Sequence, residues 1–241
     1  MFDPTRRQVL RAAGLAAPSA VGSLLLARRV RADAEGPVPD RVTSAGYVYL
    51  APAEVAFVDA ALDRLIPTDQ LGAGARASGG TLFIDRQLAG PYGRAERWYM
   101  DGPWRSGTPE QGYQLKLTPA ALYRAAIRDI DEHCRHSFGG RAFAQLEPAR
   151  QDEVLHALEA GDMELPNASS KDFFHMLLRN AQEGFLADPL YGGNRDFAGW
   201  KLIGFPGPRY NYRPDIERYG QRYDRPTVGL LGREGDPLKN G

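Results

Sequence analysis

Few side chains in this sequence could do chemistry. The densest cluster is Asp131-Glu132-His133-Cys134-Arg135-His136. On a helix His133 and His136 are three residues apart and share a face, but a metal site needs a third ligand and no further histidine lies in the run. The plainer reading is a polar helix end with its histidines near the negative pole of the helix dipole. Glu183 and Asp188 flank a glycine-aromatic segment and form the best carboxylate pair for glycoside hydrolysis, which needs two acids about 5–10 Å apart across a cleft. Asp188 precedes Pro189, however, where an Asx side chain accepts from the backbone N–H groups beyond it, so it reads as turn chemistry. Gly72-Ala73-Gly74-Ala75-Arg76-Ala77 fits G-x-G-x-x-A. A dinucleotide fingerprint requires a strand before it and a helix after it; here a helical pattern and Pro67 precede it, which makes it a loop. His156 reads as an exposed helix residue and His175, between Phe174 and Met176, as a packed or rim residue. No catalytic, cofactor-binding or metal-ligating residue is assigned to the chain.

Composition narrows the function classes further. The 241 residues carry 30 Lys+Arg against 30 Asp+Glu, a balance that argues against a protein held on nucleic acid by phosphate contacts. The single cysteine, Cys134, forbids an internal disulfide, a four-cysteine zinc site, a cysteine-ligated iron–sulfur cluster and a C-x-x-C-H haem attachment. Gly and Pro are abundant, at 27 and 18 residues, so long loops are expected. A quarter of the residues are charged, which excludes a polytopic membrane protein.

Residues 1–32 read as an address. Arg6 and Arg7 stand directly before an uncharged stretch, Ala12 to Ala27, that is rich in Ala, Gly and Leu and too weakly apolar for a confident membrane span. The arginine pair, the mild apolar region and a small-residue exit near Ala32 or Ala34 fit a twin-arginine (Tat) export signal. Arg28, Arg29 and Arg31 after that region disfavour the general secretory route. An uncleaved N-terminal anchor is the competing reading. Removal of residues 1–32 leaves 24 basic and 29 acidic residues, a formal charge of −5. Tat export usually means folding before crossing the membrane, often with a cofactor or a bound partner, so a chain without a visible cofactor site reads as one that travels with another.

The body that follows is patterned for helices. Residues 33–50 read as a linker ending in an extended Tyr47-Val48-Tyr49-Leu50. Pro52-Ala53-Glu54 opens a helix in which Val55, Val58, Ala61, Leu62 and Leu65 recur on one face, and Pro67 stops it. A short helix is expected over Thr81–Leu88, ended by Gly90-Pro91. Residues 91–117 place Tyr92, Trp98, Tyr99, Trp104 and Tyr113 among Gly and Pro and read as a long loop pinned by aromatics. Thr118-Pro119 opens a helix of about five turns with Leu122, Ala125, Ala126 and Ile130 inward. Glu147-Pro148 opens another, with Val154, Leu155 and Leu158 apolar and Gly161 as its stop. Ser169 or Ser170 caps a last one, with Phe173, Phe174, Leu177, Leu178 and Ala181 inward, to about Ala187. The expected fold is all-α: a compact bundle of five or six helices over 51–207, long Gly/Pro/aromatic loops, and an extended Tyr-rich tail over 208–241. The tail has seven basic and five acidic residues, too balanced for an electrostatic funnel onto nucleic acid.

Leu190 to Gly207 shows no sustained helical or strand period. Gly192-Gly193-Asn194 suits a tight turn with positive φ, and Tyr191, Trp200 and Phe205 supply the large rigid contact area typical of interface anchors. Residue types leave two readings side by side: a partner interface, or a seal over the C-terminal end of the bundle.

The run Glu183-Gly184-Phe185-Leu186-Ala187-Asp188-Pro189-Leu190-Tyr191-Gly192-Gly193-Asn194, with Phe173-Phe174 before it and Gly199-Trp200-Lys201-Leu202-Ile203-Gly204-Phe205-Pro206-Gly207 after it, resembles the gluconate 2-dehydrogenase subunit 3 family. Ile66-Pro67-Thr68-Asp69 with Gly74-Ala75, Phe83-Ile84-Asp85-Arg86-Gln87-Leu88 and Leu117-Thr118-Pro119 add to the resemblance, which covers nearly all of the mature chain. It implies a non-catalytic small subunit of a periplasmic complex at the outer face of the inner membrane. A large partner holds FAD and oxidises a sugar or sugar acid, and a multi-haem cytochrome c subunit takes the electrons. The small subunit associates with the flavoprotein and, through Arg6 and Arg7 read by the Tat translocase, supports its export. Tyr191, Gly192, Gly193, Asn194, Trp200, Phe205 and Pro206 are the expected partner interface. The alternatives from other classes are a free-standing periplasmic sugar-binding protein, using the aromatics of 92–113, and a hydrolase.

Overall fold

A computed structural model describes residues 46–230, apart from 106, 210, 222 and 224. The expected export signal with Arg6 and Arg7, most of the 33–50 linker and residues 231–241 of the tail lie outside the described residues.

Six α-helices and no β-strand are found among the described residues: α1 (Pro52–Leu65), α2 (Gly80–Ala89), α3 (Pro119–Ser137), α4 (Pro148–Ala160), α5 (Ser170–Leu186) and α6 (Ala198–Ile203). The all-α expectation holds, and the starts follow local chemistry. Pro52, Pro119 and Pro148 each stand in a first helical turn, where the missing N–H costs nothing. Glu54 accepts from the Ala51 N–H at 2.8 Å, Thr118 Oγ1 from Ala121 N–H at 3.3 Å and Ser169 Oγ from Asp172 N–H at 3.3 Å, so orphan donors at these ends find partners. Gly161 ends α4 with φ of 83°, as a left-handed C-terminal cap requires.

Helix α5 packs on α1, α2, α3, α4 and α6. The largest buried side chains meet along it: Phe57 stands 4.6 Å from Phe143 and 6.1 Å from Phe173 between ring centroids, and Tyr123 meets Phe173 edge-on at 5.3 Å. Each such side chain contributes roughly 1.5–3 kcal/mol on leaving water. The Tyr123 hydroxyl carried into this core is satisfied: Tyr123 Oη donates to Asn180 Oδ1 at 2.9 Å. Burial pushes the Tyr123 phenol well above its ordinary value.

Tyr47–Leu50 is not a strand. It bends over α2, where the fully buried Asp85 accepts from Val48 N–H at 2.7 Å, Tyr49 N–H at 2.9 Å and Leu50 N–H at 2.8 Å. The G-x-G-x-x-A segment is a loop, as expected: it returns from α1 to α2 with Ala75 N–H donating to Ile66 O at 2.9 Å. The 91–117 loop is pinned by Trp98, which sits 5.8 Å from Tyr92 and 5.1 Å from Tyr113 between ring centroids.

The segment 190–207 shows no sustained period, yet it supplies the sixth helix. Helix α6 lies inside that segment, with single 3-10 turns at Pro189–Tyr191 and Arg195–Phe197 before it. A six-residue helix is too short to show a period, and its direction is set by left-handed backbone at Asn194, Asp196 and Phe197 (φ 47°, 55° and 58°).

Candidate partner interface

The C-terminus of α5 leaves main-chain carbonyls without helical partners. The glycine-aromatic segment supplies donors for two of them. Trp200 Nε1 donates to Leu186 O at 2.6 Å, and Asn194 Nδ2 donates to Ala187 O at 2.8 Å. Asn194 Oδ1 in turn accepts from Gly199 N–H at 2.9 Å, so one fully buried amide joins the end of α5 to the start of α6. Backbone then packs on backbone: a Cβ at Gly193 would fall 2.1 Å from Gly184 O, and one at Gly199 would fall 2.1 Å from Phe185 O. Non-glycine residues in the left-handed region cost of order 1–3 kcal/mol each, and Asp196 and Phe197 both adopt it. The aromatic stack offsets this: Phe197 lies nearly parallel to Trp200 at 5.4 Å, and Phe205 meets Trp200 edge-on at 5.0 Å.

The predicted interface residues therefore divide. Gly192, Gly193, Asn194 and Trp200 are buried in the chain's own packing, and Trp200 is only 5% exposed. Tyr191 and Phe205 face solvent, at 49% and 40% exposed. Pro206 is half-buried, and its carbonyl accepts from Val228 N–H at 3.3 Å. Sequence reasoning missed three further exposed apolar residues, Leu186, Leu202 and Ile203. Leu202 and Ile203 lie two and three residues past Trp200 on the same short helix, and they face solvent. Groups of exposed apolar side chains rimmed by polar ones mark association surfaces.

Beside this surface runs an open groove of about 540 Å³ between α2 and the end of α5, lined by Phe83, Gln87, Glu183, Leu186 and Tyr191 among others. Glu183 is engaged on both oxygens, by Arg179 Nε at 3.1 Å and Asn180 Nδ2 at 3.2 Å. Asp188 is engaged likewise, by Leu190 N–H at 2.9 Å and by Leu230 N–H at 2.8 Å. The first of these is the turn role expected for Asp188, and the second fastens the far end of the described tail to the end of α5. Between those points the tail is held by Arg209, which donates to Pro226 O and stacks near Tyr223. The tail thus returns to the body over part of its length.

The other chemistry-bearing residues are dispersed. His133 and His136 are exposed on α3 while Cys134 between them is buried, its thiol pushed up to about 12 by burial. His156 is exposed and lies 3.6 Å from Glu159, and His175 is exposed beside Phe174. Among the described residues no three His, Cys, Asp or Glu side chains converge as a metal site requires. No helix among them is long and apolar enough to cross a membrane.

No curated protein and no solved structure gives a significant match to this sequence. The family described as gluconate 2-dehydrogenase subunit 3 matches residues 52–207, a span that opens at the first residue of α1 and closes just past Phe205 and Pro206. With well over half of the 241 residues matched, the chain belongs to the gluconate 2-dehydrogenase subunit 3 family.

Proposed function

We propose that this protein is a non-catalytic small subunit of a periplasmic flavin-dependent dehydrogenase complex of the gluconate 2-dehydrogenase type. The family match over the whole helical body carries this reading. In it, the large partner holds FAD and oxidises an alcohol of a sugar or sugar acid, and a multi-haem cytochrome c passes the electrons to the membrane. The small subunit binds and stabilises the folded flavoprotein, and Arg6 and Arg7 bring the pair to the Tat translocase. The exposed group of Tyr191, Leu186, Leu202, Ile203 and Phe205 supports an association role, and its apolar character suits a lasting interface more than a passing encounter.

The test is deletion of this gene alone in its own host. Periplasmic sugar- or sugar-acid-dependent dye reduction should disappear and return on complementation, with the flavoprotein accumulating in the cytoplasm or degraded. Unchanged periplasmic activity after deletion would refute the accessory role.

A further inference from the structure

Glu183 lines the groove between α2 and α5, and Arg86 flanks it on α2. Glu183, on its α5 wall, is already met by Arg179 and Asn180. Arg86, on α2 beside the lining residue Gln87, is not: its Nε is buried without a hydrogen-bond partner, and no carboxylate pairs with its guanidinium among the described residues. The side chain is held against the turn that carries Tyr191, since a Cβ at Gly192 would lie 3.4 Å from Arg86 Cδ. A buried guanidinium N–H that has lost water without gaining an acceptor is costly. Among the described residues Arg86 has no carboxylate paired with it, and the group that would complete its pairing is an anion.

We propose, resting on the subunit reading above, that Arg86 anchors a carboxylate of the flavoprotein partner, carried on a segment whose apolar side chain enters the groove against Phe83, Leu186 and Tyr191. Charge complementarity selects an acidic segment, because among the described residues Arg86 has no carboxylate partner while Glu183 opposite is already met by Arg179 and Asn180. Shape selects a protein segment over a free small molecule. The groove is open along its length and continues into exposed Leu186 and Tyr191, whereas small-ligand sites enclose most of their ligand. The planar guanidinium binds a carboxylate through two parallel hydrogen bonds, which fixes the partner's orientation as well as its affinity.

The test uses the flavin-containing chain that co-purifies with the tagged wild type. Its affinity is measured for wild type, Arg86→Gln and Arg86→Glu at low and high salt. Arg86→Gln should weaken association at least about thirtyfold and flatten its salt dependence, and Arg86→Glu should weaken it more. The melting temperature of the free chain should not fall in Arg86→Gln, because no hydrogen-bond partner among the described residues is lost and a dehydrated N–H is removed. Benzoylphenylalanine at Tyr191, with Arg86 intact, should cross-link to a flavoprotein peptide containing Asp or Glu. Equal affinity and salt dependence for wild type and Arg86→Gln, or cross-links only to peptides without an acid, would overturn the anchor while leaving the subunit reading standing. Absence of any flavin-containing chain with the wild type would overturn both.

Discussion

Trp200 Nε1 and the carbonyl of Leu186 are 2.6 Å apart, so the last turn of α5 is closed by a side chain fourteen residues further along the sequence. That bond makes Trp200 the inner face of a surface whose outer face is Leu202, Ile203 and Phe205. Trp200→Ala should destabilise the free chain by about 3–5 kcal/mol in urea unfolding and weaken partner association through loss of the α6 geometry. Trp200→Phe keeps an aromatic ring but one smaller than the indole, leaves Leu186 O without its donor, and should cost about 1–3 kcal/mol. A chain unfolding like wild type after Trp200→Ala would contradict this placement.

Asp85 should be the most sensitive polar position outside that segment. It is fully buried and accepts from three consecutive backbone N–H groups, those of Val48, Tyr49 and Leu50. Asp85→Ala leaves these donors without the acceptor and should cost roughly 3 kcal/mol. Faster amide exchange at residues 48–50 should accompany it. Asp85→Asn keeps one acceptor oxygen and should cost about half as much. Wild-type protection at these amides in Asp85→Ala would refute the assignment.

Asp131 gives a pH signature of known sign. Burial raises its carboxyl above the ordinary value, against the lowering effects of the Phe143 N–H and of Arg135. The folded chain therefore holds this proton more tightly than the unfolded chain does. The stabilisation is fully present below the unfolded carboxylate pKa and is lost as pH rises through the higher folded value. Asp131→Asn, which retains an acceptor for Phe143 N–H, should melt above wild type at pH 7 and level with it at about pH 3. A variant less stable than wild type at pH 7 would show that the Phe143 and Arg135 contacts outweigh burial.

How much was legible in the sequence follows from the range of each signal. Helices α1 to α5 are long enough to show a period, and Pro52, Thr118-Pro119, Pro148, Ser169 and Gly161 mark their ends locally. Helix α6 was hidden because its six residues are oriented by bonds to α5 and by left-handed backbone at Phe197, to which no residue preference points. The aromatic residues of 191–205 were legible as special, but their division was not. Burial of Trp200 against exposure of Phe205 depends on where the α5 carbonyls lie. Arg86 gave no signal by type or spacing; an unmatched guanidinium is visible only once its neighbours are known.

Export should depend on the arginine pair. Arg6→Lys together with Arg7→Lys should leave both this chain and its flavoprotein in the cytoplasm, read by cell fractionation and immunoblotting. Normal periplasmic levels of both chains in that double variant would rule out the twin-arginine route.

The most direct test of the central claim is affinity purification of the tagged chain from its native host under gentle extraction of membrane and periplasm, with absorbance read from 350 to about 550 nm and every co-purifying chain identified. The account predicts a stoichiometric FAD-containing protein, with a haem c subunit alongside it. A lone colourless chain would contradict the subunit reading and favour a free-standing binding protein or hydrolase.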